Sequence, residues 1–254
     1  MICRTITMTL TSAVMYRQWC RALLCLALVI LPVQAWSRIY LVAVGISDYP
    51  GVRNDLRLPH NDAATIEWLY KENKHAETVL LMNDKATLSG VKSAMSRLYS
   101  MATAKDIVVL FFSGHGLKGG FVCYDGVLRY SDIRRLMSAS KGRSKMIFAD
   151  TCYSGAFRKE DNKNGGGWKG TDIMLFLSCR TNEISIEQKN MTNGFFTYAL
   201  QHGLRGGADT NRDRIVTARE LYVYVSAMVR KMSGNKQHPV MWGKFSDSMV
   251  VMKW

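Results

Sequence analysis

Lys145-Met-Ile-Phe-Ala-Asp-Thr-Cys-Tyr-Ser-Gly155 is the stretch on which the fold turns. A short apolar run, fed by a charged segment, breaks into Asp150-Thr151-Cys152 and then into small polar residues and a glycine. A run of this length reads as a buried strand of a parallel sheet. The carboxyl end of such a strand is where open α/β sheets place ligands and chemistry. A cysteine there is well placed to react. The competing reading is an inert buried thiol, because free cysteine is among the most buried residues. A histidine elsewhere has to decide between them.

Working outward, Arg38–Gly45, Thr78–Leu81, Ile107–Phe112 and Ile173–Ser178 read as further strands, the first and third as near-continuous apolar runs. Between them, Asn61 or Asp62 caps a helix reaching about Lys71, with Ile66 and Leu69 turned inward. Thr87 opens a helix in which Val91, Ala94, Met95 and Leu98 recur at helical spacing. A small hairpin is expected around Asp125-Gly126, followed by a short helix capped by Ser131. Later helices run from about Phe195 to Gly203 and from Thr217 to Met232, the second with a Thr217/Glu220 capping box. Strands alternating with helices imply a single α/β domain with a mostly parallel sheet flanked by helices and right-handed crossovers.

The first 35 residues stand apart. Arg17 and Arg21 precede an apolar run from Ala22 to Val33, and Val33-Gln34-Ala35 offers a small-residue cleavage site. This is the pattern of a secretory signal peptide, so 1–35 is expected to be a leader and 36–254 the working domain, secreted or periplasmic. The run falls short of the roughly 20 residues that span a bilayer, so membrane attachment would come only through an uncleaved leader. Translation could start at Met1 or Met15. Cys3, Cys20 and Cys25 leave with the leader, and Cys123, Cys152 and Cys179 stay, an odd number without disulfide or zinc spacing. The net charge of +14 (34 basic against 20 acidic residues) favours acidic partners. No dense basic run with interleaved aromatics occurs, and nucleic-acid binding is not expected.

A second strand end carries the histidine. Ser113-Gly-His-Gly116 follows Phe112 as Asp150-Thr-Cys152 follows Ala149, so a parallel sheet brings His115 and Cys152 to one edge. A thiol is mostly protonated at neutral pH, and an imidazole beside it can draw off the proton. The flanking glycines permit close backbone approach and leave an amide to face a developing oxyanion. Alone, His115 could equally be a solvated residue of a glycine-rich turn.

Together these two motifs resemble the caspase-like cysteine peptidases, in particular the metacaspase, paracaspase and bacterial caspase-like branch. The likeness extends to the first strand, Leu58-Pro-His-Asn-Asp-Ala63, Leu177-Ser-Cys179 and Gln237-His-Pro239, and so covers nearly all of residues 38–252. The His115–Cys152 interval of 37 residues is shorter than the roughly 50 of animal caspases. The resemblance implies a caspase-like three-layer sandwich and a His115–Cys152 dyad. In it Cys152 attacks the scissile carbonyl, the amides of Gly116 and Cys152 hold the oxyanion, and His115 moves the protons. It implies protein or peptide substrates and requires no cofactor. The alternative is a catalytically silent module that binds peptides.

Animal caspases carry a glutamine two residues before the cysteine and arginines nearby to hold a P1 aspartate, whereas this chain has Asp150 there. By the same resemblance Asp62, Ser113 and Glu183 fall where the basic-specific branch builds its P1 pocket, which points to Arg or Lys at P1. Each acid has a plainer reading: Asp62 as a helix cap, Asp150 as an orienter of the turn, Glu183 as a solvated loop charge. Arg57 is the one nearby residue that argues for an acidic guest. Arg158, Lys159, Lys163 and Lys169, in the loop-like 158–170 segment, are candidate points of self-cleavage. Asp209, Asn211, Asp213 and Glu220, with Thr217, stand at the ligand positions of an EF-hand-like calcium loop. Arg214 in place of its glycine, and Arg212, oppose Ca²⁺, and the competing reading is an Asp/Asn-rich turn before a capped helix. The region around Asp125 and Asp132 is too sparse for the calcium site found elsewhere in metacaspases.

Overall fold

The computed structural model describes residues 37–73, 75–117, 119–151, 172–180 and 190–253. The expected leader, Cys152, the 158–170 segment and Glu183 lie outside these residues.

Six strands form the central sheet: β1 (Ile39–Gly45), β2 (Ala76–Met82), β3 (Ile107–Gly114), β7 (Ser144–Thr151), β8 (Ile173–Leu177) and β10 (Val240–Trp242). Their order is β10-β8-β7-β3-β1-β2, parallel throughout except for the antiparallel edge strand β10. The parallel centre explains why β1 and β3 are buried along their whole length: both faces are covered. Val42, Leu110 and Ile147 pack on one side with α2 (Leu88–Ser100) and α3 (Tyr130–Ala139). Leu41, Val109, Phe111 and Phe148 pack on the other with α1 (Pro59–Lys71), α4 (Phe195–His202) and α5 (Ala218–Met232). Each fully buried side chain of this size contributes about 1.5–3 kcal/mol of transfer free energy. The result is the expected three-layer sandwich. A small antiparallel sheet joins β4 (Gly116–Leu117), β5 (Gly120–Val122) and β6 (Val127–Arg129), and a second pairs β9 (Ile215–Thr217) with β11 (Val250–Lys253). Among the described residues no helix is long and apolar enough to cross a membrane.

The helix signals hold in two places and shift in two. Thr87 caps α2 by accepting the Gly90 N–H, and the Thr217/Glu220 capping box opens α5. The first helix begins earlier than expected: Leu58 is its N-cap and Pro59 its first residue, where the missing N–H costs nothing. Asp62 is therefore inside the first turn, not the cap. Likewise α3 starts at Tyr130 after Arg129 rather than after Ser131. Strand β7 runs through Asp150 and Thr151, which pair with Ser113 and Gly114, so Asp150 belongs to the sheet and not to a turn.

Candidate active site

The carboxyl edge of the sheet gathers the polar residues. Gly45 stands opposite Ser113, and Ser113 opposite Asp150. Side chains alternate along a strand, so Ser113 shares the face of Val109 and Phe111, and Asp150 that of Met146 and Phe148, beneath α1 and α4. Gly45 lets α1 approach: a Cβ there would collide with the Pro59 carbonyl oxygen and lie 2.6 Å from the Ala63 Cβ.

This approach delivers Asp62 to the edge. Its carboxylate is buried, with Oδ1 accepting from Asn193 Nδ2–H and Gly194 N–H (both 3.0 Å) and Oδ2 accepting from the Ser113 hydroxyl (2.8 Å). Asp150, also buried, accepts the backbone N–H (3.1 Å) and hydroxyl (2.8 Å) of Thr197 at Oδ2. A Cβ on Gly194 would lie 2.8 Å from Asp150 Oδ2 and 3.6 Å from Asp62 Oδ2, so the two carboxylates are neighbours. Burial, reinforced by the charge of Asp150, pushes Asp62 well above the usual carboxylate range despite its three hydrogen bonds. Three of the four expected pocket residues, Asp62, Ser113 and Asp150, thus meet. Arg57 is exposed on the surface and its guanidinium donates to the Met191 carbonyl (3.3 Å).

His115 follows β3 directly. Its backbone N–H donates to the Tyr49 hydroxyl (2.9 Å), which donates in turn to the Val122 carbonyl (3.0 Å), and the two rings lie 4.8 Å apart. Gly114, at φ 153°, makes room for that hydroxyl: a Cβ there would lie 2.6 Å from it. His115 Nε2 is 2.7 Å from the Asn54 carbonyl oxygen. A carbonyl only accepts, so Nε2 carries a proton and Nδ1 is left for proton exchange. Gly116 begins β4 opposite Phe121, and the His115 carbonyl accepts from Val122 N–H (2.9 Å), which ties the glycine turn to the small sheet.

On the neighbouring strand, Thr151 is the last described residue before Cys152 in the chain. Ser178 Oγ accepts its N–H and donates to its carbonyl (both 3.2 Å), and the Cys179 thiol donates to the same carbonyl (3.4 Å). Gln237 secures Ser178 through Nε2 to its carbonyl (2.9 Å). Cys179 is buried in this clamp. Cys123 is buried too, and burial, with the Asp125 charge, pushes its thiol up to about 12, too high for a nucleophile at neutral pH.

The candidate calcium residues are engaged with their own loop. Asp209 accepts from the Asp213 and Arg214 amides (3.2 and 3.0 Å), Asn211 from Asp213 N–H (3.0 Å), and Asp213 from Ile215 N–H (2.8 Å). Glu220 takes the hydroxyls and amides of both Thr210 and Thr217. Among the described residues no group of three or more His, Cys, Asp or Glu could hold a metal ion. Asp132 is engaged by Lys92 (2.6 Å) and Arg135 (3.0 Å).

Sequence reasoning passed over Tyr49, Asn54, Asn193, Gly194 and Thr197. Asn54 acts through its backbone carbonyl, which leaves no side-chain signal. Thr192-Asn-Gly194 ahead of the apolar Phe195-Phe196 pair was the legible sign of a helix entry with polar work to do.

Residues 38–249 match the family model of the caspase domain, peptidase C14. Among solved structures the chain is similar to the GSU0716 protein of Geobacter sulfurreducens, at 17% identity over 82% of this chain and 94% of that one, with a TM-score of 0.64. It is also similar to caspase-1 from Spodoptera frugiperda, at 16% identity over 85% and 90%, TM-score 0.64. At such identity both likenesses speak to the fold alone. No curated protein matches the chain. With its sheet order, its histidine-bearing strand end and a family match across nearly the whole described region, the chain belongs to the caspase-domain family of cysteine peptidases.

Proposed function

We propose that the protein is a cysteine endopeptidase that cuts after Arg or Lys, with Cys152 as nucleophile and His115 as its proton partner. The observation that carries this reading is the buried Asp62–Asp150 pair, brought together from α1 and β7 at the sheet edge that also bears His115 and leads into Cys152. Cys152 gives its proton to His115 Nδ1 and attacks the carbonyl of the P1 residue. The imidazolium then protonates the leaving amine, and the neutral ring activates the water that frees the acyl enzyme. The amide of Gly116 faces the oxyanion. A guanidinium or ammonium entering between the two acids gains about 4 kcal/mol per charge pair at 4 Å and an effective dielectric of about 20, before desolvation and the release of the proton that burial holds on Asp62 are subtracted. A P1 aspartate meets repulsion. Glu183 is the third acid proposed for this pocket.

The 1–35 leader would deliver the enzyme outside the cytoplasm, which N-terminal sequencing of the exported protein checks. Arg158, Lys159, Lys163 and Lys169 are its proposed self-cleavage points. An intact mass in active protein, with full activity after replacing all four, rejects that role. The main test digests an unfolded protein with wild type, Cys152→Ala and His115→Ala, and maps the cuts by mass spectrometry. Cuts after Arg and Lys with wild type alone are expected; cuts that persist in Cys152→Ala would remove the nucleophile from the proposal.

A further inference from the structure

We infer that the turn entering α4, Asn193 to Thr197, is the element that sets P1 specificity, with Asn193 and Thr197 as positioning residues and Gly194 as the gap between the acids. The inference rests on the basic-guest reading of the Asp62–Asp150 pair. Five of the hydrogen bonds that converge on these carboxylates show how the labour is divided. Ser113 supplies one, and the turn supplies the other four: Asn193 Nδ2–H and Gly194 N–H to Asp62, and the N–H and hydroxyl of Thr197 to Asp150. The two acids come from separate elements, α1 and β7, and the turn is the piece that binds to both.

The turn is itself held. Asn193 is buried; its amide also donates to Thr65 Oγ1 (3.0 Å), and its carbonyl oxygen accepts from the Thr192 hydroxyl (3.3 Å). Thr197 is fully buried, three residues into α4, whose Phe195, Phe196, Ala199 and Leu200 are fixed in the core. Burial of these donors in a packed helix start means that they cannot follow a carboxylate that moves. They fix where negative charge can sit, and so where a cationic head can be met. Gly194 completes the arrangement by what it lacks. A side chain there would press on Asp150 Oδ2 at 2.8 Å and approach Asp62 Oδ2 at 3.6 Å, filling the space the two carboxylates share.

A positioning role separates from a merely structural one by what it changes. Thr197→Val keeps shape and loses the hydroxyl, Thr197→Ser restores it, and Asn193→Ala removes the amide. Each is assayed for KM and kcat on matched peptides with P1 arginine and P1 citrulline, the neutral isostere of arginine. KM does not depend on the fraction of folded enzyme, so partial unfolding does not blur the result. For Thr197→Val and Asn193→Ala, KM for the arginine peptide is expected to rise about tenfold, because a carboxylate that has lost a fixed donor is no longer held where it meets the cationic head. The citrulline KM should change little, and Thr197→Ser should return to wild type. Gly194→Ala should lose arginine selectivity more completely than either. Wild-type enzyme that prefers arginine, together with Thr197→Val and Asn193→Ala that keep the full arginine-to-citrulline ratio, overturns the inference and leaves the pocket reading standing. Wild-type enzyme without preference for arginine overturns the pocket reading and the inference with it.

Discussion

Replacing Asp62 with asparagine removes one charge from a buried pair and little else. The asparagine Oδ1 keeps the bonds from Asn193 and Gly194, and its Nδ2 donates to the Ser113 hydroxyl, which turns round. Asp62 and Asp150 both lie close to the point a Gly194 Cβ would take, at 3.6 and 2.8 Å, so their oxygens are no more than about 6.4 Å apart. Two full charges at that distance repel by about 2.5 kcal/mol at an effective dielectric of about 20. Asparagine returns about 1 kcal/mol of this through weaker acceptance, leaving a net gain of about 1–2 kcal/mol once both acids are ionised in the wild type. The pH dependence follows from the raised Asp62. Above 3.8 the folded protein holds this proton more tightly than the unfolded chain, so wild-type stability falls as pH rises toward the folded pKa. Thermal unfolding of wild type and Asp62→Asn from pH 4 to 9 should give curves that diverge with rising pH. Once the pH is high enough to ionise Asp62 in the wild type, the variant should be higher by about 2–8 °C. The same variant should raise KM for a P1 arginine peptide tenfold or more. Parallel unfolding curves, or a variant less stable at every pH, would refute the electrostatic reasoning.

Tyr49→Phe takes the hydroxyl from between His115 N–H and the Val122 carbonyl, leaving both without that partner. Peptidase kinetics should show kcat down by tenfold or more with KM nearly unchanged. Glu220 is set about 2 by its bonds from Thr217 and Thr210, which outweigh the opposing effect of burial. Its contribution is present above 4.5 and lost as pH falls through about 2, so Glu220→Gln should cost about 0.5–1 kcal/mol at pH 7, seen by urea unfolding, and progressively less as pH falls toward 2. Tyr70 is fully buried and its hydroxyl has no partner among the described residues. Tyr70→Phe should therefore raise stability by about 1 kcal/mol, measured by thermal unfolding.

Much of this fold was legible because its signals are local and periodic. The apolar runs of β1, β3 and β7 read as buried strands by their length and composition, and the helix faces from Val91 to Leu98 and Thr217 to Met232 repeat at helical spacing. The edge pieces were not legible. Val240–Trp242 and Ile215–Thr217 are three residues long, and their pairing with β8 and β11 is a tertiary matter with no period to read. Pro59 misled the helix start because its own N1 preference competed with the cap signal of Asn61 and Asp62. At the site, His115, Ser113 and Asp150 announced themselves as residues where apolar strands end. Asn193 and Thr197 did not, since their partners lie 131 and 47 residues away along the chain.

The most direct test of the central claim compares kcat/KM for peptides that differ only at P1, arginine, lysine or aspartate, with Cys152→Ala as control. Strong turnover after arginine and lysine, none after aspartate, and none with Cys152→Ala is the predicted result. Turnover after aspartate, or no turnover of any peptide by wild type, would contradict it.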